Sequence, residues 1–81
     1  MHFVYIVRCA DDTLYTGYAV DPDARIQKHN AGRGAKYTAS RRPVALVYAE
    51  RFRSKSKALK REWEVKRWPR AKKESMIRLS S

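Results

Sequence analysis

Phe3-Val4-Tyr5-Ile6-Val7-Arg8-Cys9-Ala10-Asp11-Asp12-Thr13-Leu14-Tyr15-Thr16-Gly17-Tyr18 is the stretch that decides the fold. Its first five residues are β-branched or aromatic and apolar at both parities, which predicts a strand covered on both faces. Ala10–Thr13 carries turn chemistry, and Leu14–Tyr18 reads as the return strand of a hairpin. Gly17 inside that strand marks either a bulge or a place where another group approaches the backbone closely.

Outward from the hairpin, Asp21-Pro22-Asp23 is a helix start, with an N-cap Asp, Pro at the first helical position and an acid at the positive dipole end. This helix should run to about Ala31 and stop at Gly32. Residues 32–43 hold two glycines, a basic-aromatic stretch and Pro43, and predict a loop with at most one helical turn. Val44–Phe52 reads as a third strand, apolar on both faces at first. Ser54 or Ser56 can cap a second long helix that Pro69 ends, and Arg70–Leu79 reads as a weaker terminal helix. The order ββααβαα predicts an α+β fold, a small three-stranded, mainly antiparallel sheet with helices on both faces. The 81 residues are enough for one domain, 1–81, and one small core.

Composition narrows the class further. One cysteine, Cys9, excludes an internal disulfide and fits a reducing, cytoplasmic setting. The longest apolar run, Val44–Ala49, is far shorter than the roughly 18 residues of a membrane span, and the N-terminus does not resemble a signal peptide. Nineteen Lys and Arg oppose eight Asp and Glu, for a net charge of +11. The excess is uneven: residues 1–24 carry −3 and residues 25–81 carry +14. So basic a chain gains most from a polyanion, and nucleic acid is the first partner to consider. An acidic membrane surface and a solubilising or ribosome-associated role are the alternatives.

Few acids are free for chemistry. Asp11 and Asp12 suit a turn, Asp21 and Asp23 a cap, and Glu50 and Glu74 positions where solvation is expected. On the long helix, at about 100° per residue, Ala58 lies at about 0°, Val65 at −20°, Leu59 at 100° and Trp63 at 140°. If those four form the apolar arc, Glu62 near 40° and Lys66 near 80° fall inside it, and Glu64 outside. An interior acid needs a partner: either Lys66, one turn on, or a metal ion. One such acid supports a single hard cation completed by water and phosphate, and argues against a two-metal cluster. Arg25 and His29 share a helix face, and Tyr5 and Tyr15 sit on adjacent strands. Each pair is equally compatible with an ordinary structural role.

The order of these signals resembles the GIY-YIG nuclease superfamily, most closely its small stand-alone single-domain members. The resemblance rests on Phe3-Val4-Tyr5, nine residues, Tyr15-Thr16-Gly17, Arg25 and His29, Gly34-Ala35-Lys36-Tyr37-Thr38, and Ala58-Leu59-Lys60-Arg61-Glu62. Phe3 and Thr16 depart from the half-motifs, replacing a Gly and an Ile. The resemblance implies a metal-dependent DNA endonuclease, with Tyr5, Tyr15, Arg25, His29 and Glu62 as catalytic residues, Gly17 as a structural residue, and Glu62 holding one Mg²⁺ or Mn²⁺. Tyr5 is then expected as general base on water, with a neighbouring cation lowering its pKa. Lys36, Tyr37, Arg41, Arg42, Lys55, Lys60 and Arg61 are the expected nucleic-acid contacts. Branched or nicked DNA and a repair role fit this reading; RNA and oligomeric state stay open, and no membrane partner is expected. The other class to weigh is a nucleic-acid-binding module with a nuclease-like fold and no catalysis.

Overall fold

A computed structural model describes residues 1–80. Strands β1 (His2–Arg8), β2 (Leu14–Ala19) and β3 (Ala45–Phe52) form one antiparallel sheet in the order β2-β1-β3. Helices α1 (Pro22–Asn30) and α2 (Lys36–Ala39) lie between β2 and β3, and α3 (Lys55–Lys66) and α4 (Arg70–Ser80) follow β3. The apolar run in β1 takes the central position, the only one in a three-stranded sheet with a neighbour on each side. Its alternating side chains divide between two cores. Val4 and Ile6 join Tyr48, Ala58, Val65 and Ile77 under α3 and α4. Tyr5 and Val7 join Cys9, Ala19 and Val44, with Ile26 of α1 and Tyr15 packed against them. Each fully buried aliphatic side chain contributes about 1.5–3 kcal/mol, so β1 anchors both layers.

Gly17 keeps regular register, opposite Tyr5. Of the two expectations for it, the close approach holds. The bulge lies on the other side of β1, where Ile6 pairs with Tyr48 and Val7 with Leu46, leaving Val47 as the extra residue. Edge position explains why β3 is less covered than its sequence suggests, with Ala45 and Leu46 exposed.

Polar groups fix α1 where apolar ones are scarce. Asp21 accepts from the Ala24 N–H at its start, and Gly32, in the left-handed region at φ 81°, follows its end. Asn30 grips the entry to β3 twice: Oδ1 accepts from Val44 N–H at 2.7 Å and Nδ2 donates to the Val44 carbonyl at 3.1 Å. Arg42 donates to the carbonyls of Asn30 and Ala39, closing the ends of α1 and α2.

Helix α3 sits differently from the wheel drawn on sequence. Ala58 and Val65 are buried, but Leu59 and Trp63 are 41% and 61% exposed. The arc turned inward runs instead through Val65, Ala58 and the half-buried Arg61, with Trp68 continuing it beyond the helix. The reason is an acid that the sequence reading left to solvent. Glu50 on β3 takes the Arg61 guanidinium in a bidentate pair, at 2.8 and 3.0 Å, and accepts from the Tyr48 hydroxyl. Arg61 also lies over the Trp68 ring. Glu62 is half-buried on the other side of that arc from Arg61.

Glu74 is likewise a docking residue. It receives Arg8 of β1 at 2.6 and 3.0 Å and Arg70 at 3.0 Å, tying α4 to the sheet. Hydrogen bonds from Arg8, reinforced by Arg70, hold its carboxyl down from 4.5 to about 2. A carboxyl depressed in the folded state stabilises fully above its unfolded pKa, and that contribution fades as pH falls through the folded value. Glu74→Gln should accordingly lower Tm at neutral pH, and the gap to the parent protein should close as pH drops from about 5 toward 2. Thermal melts across that range read both effects; parallel curves at every pH would contradict the assignment.

Candidate active site

The pairing of Tyr5 with Gly17 creates the centre of the site. Directly opposed residues in an antiparallel ladder project to the same face, and the Tyr5 ring lies over Gly17 where a Cβ would overlap its hydroxyl. Tyr5 is 1% exposed, and its hydroxyl stands 2.8 Å from Nε2 of His29 on α1. Nδ1 of the same ring is 2.7 Å from Oγ1 of Thr38 on α2, and that hydroxyl donates to the Ala35 carbonyl at 3.0 Å.

These distances fix the proton positions. A carbonyl only accepts, so Thr38 spends its one proton on Ala35 and must accept from Nδ1–H. Neutral His29 then presents a bare Nε2, to which the Tyr5 O–H donates. The ionisation tendencies agree with this arrangement. Burial pushes Tyr5 up, against the opposing pull of Arg25. Burial, aided by the Arg25 charge, pulls His29 down. At neutral pH the pair is tyrosine and imidazole.

Two glycines make the chain of hydrogen bonds possible. A Cβ at Gly17 would meet the Tyr5 hydroxyl, and one at Gly34 would meet the His29 imidazole. Both rings are enclosed and cannot swing aside. Gly17→Ala and Gly34→Ala should each cost about 1–3 kcal/mol through overpacking. Urea unfolding measures the cost, and NMR of the His29 ring reports the displaced contact. Full stability in either variant would contradict the packing described.

Tyr15 extends the site outward. Its ring meets His29 edge-on at 5.4 Å and stacks on Tyr37 at 5.7 Å. The Arg41 guanidinium lies 4.1 Å from the Tyr37 centroid, while Arg41 also pairs with Asp11 and donates to the Tyr37 carbonyl. Arg25 is half-buried, and its Nε is enclosed without a hydrogen-bond partner among the described residues. It lines a cavity of 380 Å³ together with Tyr18, Asp21 and Lys28. With Arg25 and Lys28 against one acid, Asp21, the cavity lining is net positive and suits an anionic oxygen.

Glu62 is 19% exposed and pairs with Lys66 at 3.2 Å. Its charge reaches the Tyr5 hydroxyl and opposes ionisation there. No group of three or more His, Cys, Asp or Glu able to hold a metal ion occurs among the described residues. One hard carboxylate nevertheless matches the needs of Mg²⁺ or Mn²⁺, which bind through one or two carboxylates and take the rest from water and substrate phosphate. The donor set fits one ion.

Tyr5, Tyr15 and His29 are thus in mutual contact beside Gly17, and the charges of Arg25 and Glu62 bear on the Tyr5 hydroxyl. The outlying cations divide. Lys36, Lys55 and Lys60 are exposed, whereas Arg41 and Arg42 are built into the loop and Arg61 into its pair with Glu50. Gly34 and Thr38 acquire roles that residue-by-residue reading had not given them. Their signal was their place in the Gly34–Thr38 stretch, since nothing about a lone threonine in a basic loop advertises a buried hydroxyl.

A GIY-YIG catalytic domain is what a tyrosine-bearing hairpin with this glycine, an Arg/His helix and a later helical glutamate define, and the chain belongs to that family: the family model matches residues 1–75. Among its relatives is a UPF0213 protein of Staphylococcus aureus strain Mu3, 61% identical over 77 residues, spanning 95% of this chain and 94% of that one. Two solved structures share the fold. The solution NMR structure of a UPF0213 protein from Bacillus halodurans has a TM-score of 0.62 at 50% identity, and that of a protein from E. faecalis has 0.63 at 40%. In each case the match covers 96% of this chain and 83% of the other.

Proposed function

We propose that residues 1–81 act as one GIY-YIG unit that hydrolyses DNA phosphodiester bonds as a divalent-metal-dependent endonuclease, on structure-specific substrates of the repair type. The observation that carries this is the directional hydrogen-bond chain from Tyr5 through His29 to Thr38, set beside an Arg25 with an unpartnered Nε. A chain that only gripped nucleic acid would need neither a fixed tautomer nor a buried hydroxyl aimed at a bare imidazole nitrogen.

The attacking water gives its proton to the Tyr5 oxygen as the Tyr5 proton passes to Nε2 of His29, and the water oxygen forms its bond to phosphorus. Coupling the two transfers avoids a free tyrosinate, which burial disfavours. Arg25 donates to the non-bridging oxygens, where charge builds. Tyr15, held between His29 and Tyr37, positions the water. The scissile P–O bond breaks, and the leaving oxygen takes a proton from solvent. Glu62 would hold one Mg²⁺ or Mn²⁺, which when bound polarises the phosphate and neutralises charge on the leaving oxygen. Lys36, Tyr37, Lys55 and Lys60 hold the backbone, with Arg41 and Arg42 shaping the loop that presents it. Lone, buried Cys9 suits a cytoplasmic setting, and no helix among the described residues is long and apolar enough to cross a membrane.

The Glu62–Lys66 pair favours a second reading, a binding module whose carboxylate is already satisfied. Incubating the purified chain with supercoiled, branched and single-stranded DNA, in Mg²⁺, Mn²⁺ or EDTA, separates the two. Cleavage that requires the metal is expected. Salt-sensitive binding with no cleavage under any condition would sink the nuclease reading.

A further inference from the structure

Trp63 and Leu59, one helical turn apart on α3, are exposed where the sequence pattern would have buried them. Trp63 is the larger anomaly, because a tryptophan offers about 150–250 Å² of surface that burial would remove from water. On the helical wheel it lies about 100° from Glu62, with Lys66 between them. The Arg67 guanidinium is stacked 4.5 Å from the Trp63 ring, and Lys60 and Lys66 flank it. An indole beside the carboxylate of a nuclease site, rimmed by cations on a chain of charge +11, matches a nucleobase with its phosphate better than it matches a protein's apolar face.

We infer that Trp63, with Leu59 and Arg67, is a stacking platform for an unpaired nucleotide adjoining the part of the site that Glu62 borders. This deepens the nuclease reading and rests on it: substrates with a single-stranded or splayed base at the scissile position are preferred over continuous duplex. Bases in a duplex are already stacked on their neighbours, and only an unpaired one can exchange that contact for the indole. Arg67 covers one side of the ring and can pair with the adjoining phosphate.

The test is equilibrium binding in EDTA, where cleavage plays no part. A short oligothymidylate and a hairpin duplex of equal length are titrated against the parent chain, Trp63→Ala and Trp63→Phe, with thermal melts to verify folding. Base–aromatic stacking implies about a tenfold loss of single-strand affinity in Trp63→Ala, most of it recovered in Trp63→Phe, with duplex affinity unchanged. Oligothymidylate should also quench the parent's tryptophan fluorescence and leave that of Trp63→Ala nearly unaltered. Equal single-strand affinity in parent and Trp63→Ala would overturn the platform while leaving the nuclease reading intact. So would a Trp63→Ala protein that binds as before but elutes as a smaller assembly, which would assign the patch to a second copy. Failure of any oligonucleotide to bind would overturn both readings together.

Discussion

Glu62→Gln is expected to reduce metal-dependent cleavage by at least about a thousandfold, roughly 4 kcal/mol of transition-state stabilisation, and to leave DNA affinity within about twofold. The substitution keeps the side chain's shape and removes its charge. Stability should change little, because the partner that loses its ion pair, Lys66, is 51% exposed and is solvated readily. Measured in EDTA, DNA affinity cannot suffer electrostatically, since the chain becomes more positive. Tyr5 offers no alternative route to the loss either: the Glu62 charge opposes ionisation of that hydroxyl, so neutralising it would help a proton leave. What disappears is the carboxylate proposed to hold the ion. Calorimetric titration with Mn²⁺ in the presence of an uncleavable DNA should show binding to the parent and none to the variant. An active Glu62→Gln protein would refute the role given to this residue.

The hairpin, the caps and the order of elements were legible because each depends on local chemistry. Asp21 and Ser54 cap their helices as expected, and the apolar β1 occupies the doubly covered strand. What escaped was set by long-range polar pairing. Glu50 and Glu74 look like solvated acids until the fold delivers Arg61 and Arg8 to them, across 11 and 66 residues. The first of those pairs then rolls α3, so a wheel built on hydrophobicity alone buries Leu59 and Trp63 and misses Arg61. The candidate site shows the same division. Tyr5, Tyr15, Arg25, His29 and Glu62 are weak signals one by one and gain their expected roles only from the ordered resemblance, while Thr38, quoted within the Gly34–Thr38 stretch, gains none, because its importance is a proton direction that only a distance to His29 and another to Ala35 reveal.

That proton direction yields the second large effect. Tyr5→Phe should slow cleavage about 10²- to 10⁴-fold, the usual range for losing a general base, and should cost about 1–3 kcal/mol by leaving Nε2 of His29 buried without a donor. Thr38→Val tests the direction itself, because it preserves shape and leaves Tyr5 and His29 in place. Without the Thr38 acceptor, a proton on Nδ1 has no partner, so the neutral ring moves it to Nε2. Nε2–H then donates to the Tyr5 oxygen, and His29 can no longer take the tyrosine's proton. Cleavage should fall about 10- to 100-fold, and ring nitrogen shifts should record the change of tautomer. The parent's pH profile follows from the same chain. His29 must be neutral to work, and burial and Arg25 keep its pKa below the usual 6.5, so the rate is not lost to His29 protonation above that value and falls on the acid side. Stability follows the same sign: a depressed pKa in the folded state makes the contribution complete above 6.5 and progressively lost as pH drops through the folded value. A fully active Thr38→Val protein whose Nδ1 still carries the proton would break the relay. Loss of rate with the tautomer switched would show that a buried threonine decides which way the tyrosine's proton can move.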